Sequence, residues 1–124
     1  MAQEYLCSWA LILPGTAFAT VGTTQAGFVF PSAMEFVAIR AYADTPPTGA
    51  SLILNVKLNG VAVVTAANRP TIAAGANVAS VVTIFSTSNA AAGDRLTVDV
   101  DQVGSTNAGG SDLYLAGWMR ERST

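Results

Sequence analysis

Histidine is absent from the 124 residues, and cysteine occurs once, at Cys7. The first absence removes the side chain that most often acts as a general base near neutral pH. It also excludes a Cys–His nucleophile pair and a zinc site built from cysteine and histidine. The lone cysteine excludes an intrachain disulfide, which argues against a disulfide-stapled secreted module. Cys7 lies in the apolar run Tyr5–Leu13, where a thiol ordinarily packs as a small inert hydrophobe.

Charge is scarce too. Charged residues make up 11% of the chain, against roughly 25% in an ordinary soluble domain. Hydrophobic residues make up 51%, and the mean hydropathy is +0.43. So little charge leaves much of the surface small, weakly polar or apolar. Such a surface is expected where a subunit is covered by its neighbours. The competing reading is a thin, alanine-rich monomer. Six basic residues against eight acidic ones give a net charge of −2, with no basic patch for a phosphate backbone, so nucleic acid is not an expected partner. Arg120 and Arg122 flank Glu121 and read as a solvated tail. No run approaches the ~18 apolar residues that a membrane helix needs. Tyr5–Leu13 has the hydropathy of a signal sequence, and Ala17-Phe18-Ala19 mimics a cleavage site. The preceding residues, however, include Glu4 and no Lys or Arg, whereas a signal peptide wants a positive start. The run is therefore read as a first strand.

What the chain has is β patterning. No stretch shows helical periodicity over the ~11 residues such an assignment requires. Met34–Ala43 is apolar on both faces, with Phe36, Ala38, Arg40 and Tyr42 expected on one and Val37, Ile39 and Ala41 on the other, as in a strand covered on both sides. Asp44–Gly49 contains two prolines and ends it. Ser51–Leu58 alternates, with Leu52, Leu54, Val56 and Leu58 on one face. Asn59-Gly60 then leads into Val61–Thr65. Asn-Gly between two β runs is the strongest short hairpin signal, because both residues tolerate positive φ. Val78–Phe85 is a further β-branched run. Arg95–Asp101 alternates, with Leu96, Val98 and Val100 inward and Arg95, Thr97, Asp99 and Asp101 outward. A glycine-rich loop spans Gly104–Ser111. Leu113–Met119 is the last strand, with Leu113, Leu115 and Met119 on one face and Tyr114, Ala116 and Trp118 on the other. About eight such strands predict a single all-β domain over 1–124, an antiparallel β-sandwich of jelly-roll type.

Chemistry-bearing patterns are thin. Asp99 and Asp101, two apart on a strand, are ~6–7 Å from each other. That overlaps the spacing of glycosidase carboxylates, but on an outward face solvated carboxylates are ordinary. Asp94, Asp99, Asp101 and Asp112 are calcium-type ligands without EF-hand spacing. The 104–110 loop lacks the lysine and following helix of a phosphate loop. No catalytic residue, metal site or cofactor is therefore expected. Tyr114 and Trp118 share a face and suit core or subunit contact, with sugar stacking as the alternative. The segment 1–24 is expected to contact a neighbour. It carries Leu6, Trp9, Leu11, Ile12 and Leu13 in a run ended by Pro14-Gly15, followed by a weakly patterned stretch over Thr16–Gly27. An ordinary strand of the same sandwich is the alternative for this run.

One pattern resembles a known group. Gly49-Ala50-Ser51-Leu52-Ile53-Leu54-Asn55-Val56 and Asn59-Gly60 are followed by Gly93-Asp94-Arg95-Leu96-Thr97-Val98-Asp99-Val100. Gln102-Val103-Gly104-Ser105-Thr106 and Gly110-Ser111-Asp112-Leu113-Tyr114-Leu115 continue it. Together they resemble the small β-sandwich domains of tailed-phage virion proteins, found in capsid decoration (cement) proteins and fibre head domains. Their architecture is similar to the jelly-roll trimers of the C1q and tumour-necrosis-factor type. The resemblance covers roughly residues 28–117, and its residues are turn glycines and inward valines. It implies a virion structural protein on the capsid surface, forming a homotrimer and binding the major capsid protein, with no nucleic acid and no membrane as partner. A receptor- or carbohydrate-binding module of a fibre or tail is the other role it implies. A fibre head usually follows a stalk, and this chain opens almost at once with a strand, which favours decoration.

Overall fold

A computed structural model describes residues 6–12, 22–104 and 111–122. Nine strands are present among these: β1 (Leu6–Ile12), β2 (Gly22–Val29), β3 (Met34–Thr45), β4 (Leu52–Leu58), β5 (Val61–Ala62), β6 (Thr71–Ile72), β7 (Asn89–Ala90), β8 (Arg95–Gln102) and β9 (Ser111–Glu121). A single turn of 3-10 helix lies at Ala66–Asn68.

The strands pair as a long hairpin would. β1 lies antiparallel to β9, β2 to β8, β3 to β7 and β4 to β5. The hairpin is then rolled, so that β9 also meets β3 and β8 also meets β4. Two sheets result, ordered β1-β9-β3-β7 and β2-β8-β4-β5, with β6 added to β4. This is the jelly-roll arrangement expected from the sequence.

Alternation explains why the two sheets stack. Leu52, Leu54 and Val56 of β4 are fully buried, as are Leu96 and Val98 of β8. They face Ile39, Ala41 and Ala43 of β3 and Leu113 and Leu115 of β9 across the sandwich, in one continuous cluster. Rings close one end of it. Phe30 meets Phe28 edge-on at 4.9 Å and Phe36 at 5.8 Å, and Phe36 meets Phe85 at 5.5 Å. Such contacts add to the area that each ring buries.

The hairpin at Asn59-Gly60 forms as expected, with φ of 51° and 86°. A clamp of side chains fixes it. Asn59 Nδ2 donates to Asp94 Oδ1 at 3.0 Å, and Asn59 Oδ1 accepts the Arg95 amide at 2.9 Å. Asp94 Oδ2 accepts the Ala91 amide at 2.8 Å. The turn before β8 and the β4–β5 turn are thus one hydrogen-bonded unit.

Three expectations need correction. β3 does not keep strict alternation: its pairing with β9 shifts register between Phe36 and Ala38. One extra residue there reverses the phase, so Phe36 is buried with Ile39 and Ala41 while Arg40 and Tyr42 point outward. Val78–Phe85 is not a ladder strand; its β pairing with β3 is limited to isolated bridges at Val78 and Val82. Ala79 and Val82 are buried while Ser80, Val81, Thr83 and Ile84 are exposed, a spacing of three that a strand of period two cannot satisfy. Only Val61 and Ala62 of the run after Asn59-Gly60 are β-paired, because Val63 and Val64 are both drawn into the core. Of the weakly patterned stretch, Gly22, Ala26 and Gly27 pair with β8, with a register shift between Gly22 and Ala26.

Leu54→Asp or Val98→Asp should abolish folding. Each side chain is fully buried mid-strand, and an unpaired buried carboxylate costs several kcal/mol even after relaxation. That is comparable to the ~5–15 kcal/mol stability of a whole domain. The check is a cooperative thermal transition by circular dichroism; soluble mutants that retain one would mean that these faces are not core.

Candidate interaction surface

The two sheets turn different surfaces to the outside. On the first sheet, the register sets Tyr42 opposite Tyr114, Arg40 opposite Ala116 and Ala38 opposite Trp118. The tyrosine rings lie 5.8 Å apart at 42°. Trp118 is 48% exposed and Tyr42 38%, while Ala38 beside Trp118 is nearly covered. Tyr114 is half-buried. The result is a strip of rings on small residues, bounded by the ion pair of Arg120 with Glu35 at 2.9 Å. Arg40 is exposed, yet its Nε donates to the carbonyl of Ala79 at 2.8 Å and so ties the 78–84 segment to β3. Nearby Asp44, together with desolvation as the larger cause, raises the Tyr42 phenol above its ordinary value. Its hydroxyl therefore stays a neutral donor throughout the physiological range.

Tyr114 and Trp118 thus share the outer face of the first sheet, as the alternation of β9 predicts. Of the other candidate contact residues, Leu6, Trp9, Leu11 and Ile12 lie on β1 at the sheet's edge. Trp9 is in register with Gly117, Leu11 with Leu115 and Ile12 with Tyr114. Leu13 lies outside the described residues. The side chains of β1, Cys7 included, and of Asp112 are likewise not described.

The second sheet is different. Asp99, expected on a solvated face, is 3% exposed. Its Oδ2 lies 2.7 Å from Lys57 Nζ. Asp101 Oδ2 lies 3.0 Å from Arg69 Nη1. Asn55, across the strands from Asp99, is buried, and its Oδ1 has no hydrogen-bond partner among the described residues. The face points away from the sandwich core, as its alternation requires, yet its carboxylates are ion-paired and one is covered. The two carboxylates are each engaged by a different cation. Among the described residues no three Cys, Asp or Glu groups converge as metal ligands. A cleft of about 300 Å³ opens between Ala67–Arg69 with Thr71 on one side and Ser80–Ile84 on the other.

Sequence reasoning missed this cleft and the exposure of Val81 and Ile84, which are 43% and 65% exposed. The available signal was the lack of any two-residue alternation in 78–85. Compared with known proteins, the chain matches no protein-family model and no curated protein sequence.

Two measurements follow. Asp99→Asn should destabilise the domain more than Asp101→Asn. Breaking a buried pair costs about 3–5 kcal/mol and breaking an exposed one about 0–1 kcal/mol. Lys57 keeps partial access to water, its side chain being 30% exposed, so the Asp99 change should fall between these at about 1–3 kcal/mol by urea unfolding. Equal effects would contradict the burial difference. Asp94 carries the second test. The Ala91 amide first, and the Asn59 side chain second, hold its carboxyl below the ordinary aspartate value of 3.8. A depressed folded value stabilises the domain above the unfolded value, and that contribution is lost as pH falls through the folded one. Stability should therefore drop below pH 3.8 less steeply in Asp94→Asn than in the parent, as followed by acid titration. Parallel curves would mean that the clamp carries no charge dependence.

Proposed function

We propose that this chain is a non-enzymatic structural protein of a tailed-phage virion, a capsid decoration (cement) protein that binds the assembled shell as a homotrimer. The observation that carries the reading is a jelly roll that leaves Tyr42, Val61, Val78, Val81, Ile84 and Trp118 exposed in a chain with only 11% charge. Ordinary monomers rarely leave so much apolar surface with so little charge around it. The strand and turn pattern running from Gly49 to Leu115 supports the same reading by resemblance.

The mechanism is linkage. A protein that binds the closed shell and not its dissociated subunits stabilises the shell by about 2.7 kcal/mol per site at a hundredfold excess over its Kd. Three copies bound at a local threefold position engage the major capsid protein together, so weak single contacts add through effective concentration. Neither nucleic acid nor membrane is needed as a partner.

A receptor- or carbohydrate-binding module of a fibre or tail is the second reading. The exposed strip of Tyr42, Tyr114 and Trp118 favours it, since sugar rings stack on such rings. Copy number separates the two. Decoration predicts hundreds of copies per particle on the capsid surface; a fibre or tail part predicts a few. The purified protein should scatter light as a trimer at micromolar concentration and raise the temperature at which bare capsids open. A non-associating monomer with no effect on capsid opening would sink the proposal.

A further inference from the structure

Among the described residues, both edges of the first sheet are open in a way that soluble proteins usually avoid. β1 pairs with β9 and with no other strand among the described residues. At the opposite edge, Val82 exchanges both backbone hydrogen bonds with Ile39, at 2.9 and 3.0 Å, and the Ala79 amide reaches the Ala41 carbonyl at 3.0 Å. A residue that faces its partner with both groups leaves its neighbours' groups turned away. The amides of Val81 and Thr83 accordingly have no backbone partner among the described residues, and both residues are exposed. Edges of this kind are normally blunted by lysine, proline or inward charge. Leu6–Ile12 reads LCSWALI and Val78–Ile84 reads VASVVTI; neither contains a charge or a proline.

We propose that copies of this chain join head to tail through these edges, the open side of β1 in one copy pairing with Val78–Ile84 of the next. The proposal rests on the reading that the chain assembles with itself, and it names the contact. Three features favour a second copy over a foreign peptide. Both edges are neutral, so charge offers no basis for recognising another partner. Their directions also fit. β1 is antiparallel to β9, β9 to β3, and β3 to the bridged segment, so the two edges run in opposite directions within one copy. A rotation axis parallel to the strands reverses none of them, and the next copy's β1 meets Val78–Ile84 antiparallel. Contacts of this heterologous kind close into rings when the rotation permits. Ser80–Ile84 also borders a cleft of about 300 Å³ and is not fully packed on that side. One contact satisfies the unpaired groups of both edges and continues the sheet from copy to copy.

The test uses two edge-blocked variants of the full chain, Val81→Lys and Ser8→Lys, examined singly and as an equimolar mixture by light scattering. Each alone should fall to a third of the wild-type mass with unchanged far-ultraviolet circular dichroism. The mixture should recover a one-to-one dimer, because each variant brings one intact edge. Folded variants that stay trimeric overturn the edge contact and leave self-assembly standing. Variants that are monomeric both singly and mixed overturn the head-to-tail geometry. A monomeric wild type overturns this inference and the self-assembly reading together. Should either variant fail to fold, amide exchange on the wild-type protein decides. Slow exchange at Val81 and Thr83 in the trimer supports the contact, and fast exchange overturns it.

Discussion

The insertion of β9 between β1 and β3 is the pairing on which the rest of the sandwich depends. Along Ser111–Glu121 the chain bonds on one side to Leu6–Ile12 and on the other to Met34–Thr45. Each pairing closes a loop of many tens of residues, so its entropy must be met before its hydrogen bonds contribute. A fold built on such contacts is slow to form, because non-local pairing has to precede any local gain. β8 repeats the device in the second sheet, lying between β2 and β4. Once β9 is seated, its alternation fixes both layers. Leu113, Leu115 and Met119 go to the core, and Tyr114 and Trp118 to the outside.

Strands that keep a strict two-residue period could be read without a structure. Leu54, Val56, Leu96, Val98 and Leu115 are all fully buried where their periodicity places them, because burial on one face is the only arrangement that hides an alternating set. The Asn59-Gly60 turn was legible for a local reason, its tolerance of positive φ. Most of the failures share a cause: tertiary contact overrode period. A bulge beside Val37 inverted β3 past Phe36, and no residue type announces a bulge of that kind. Val78–Phe85 has strand composition but follows the core at intervals of three. Asp99 looked solvated because alternation reports a side, not what else lies on that side. Tyr114 and Trp118 were correctly placed on one face, whereas their companion Tyr42 was assigned the right partners only once the bulge was known.

The outer faces divide the surface between two physical tasks. The second sheet gathers its charge into pairs, Lys57 with Asp99 and Arg69 with Asp101, and so consumes cations that a charge-poor chain can hardly spare. The first sheet keeps rings and small residues outside, with Arg40 hydrogen-bonded to a backbone carbonyl. Little net field remains to steer a partner from a distance. Association by such a surface depends on shape and on apolar area, and its strength should vary little with salt.

The clamp around Asn59 also governs how the protein ages. An asparagine followed by glycine is the dipeptide most prone to lose its side-chain amide, through attack by the glycine nitrogen on the side-chain carbonyl. Here both ends of that amide are held, one by Asp94 and the other by the Arg95 amide, which restrains the rotation the attack requires. If the reaction does occur, the donor facing Asp94 becomes a second carboxylate. Attraction across the turn is replaced by repulsion at the junction of two hairpin connections. The lifetime of this hydrogen-bonded unit is therefore tied to one side-chain amide.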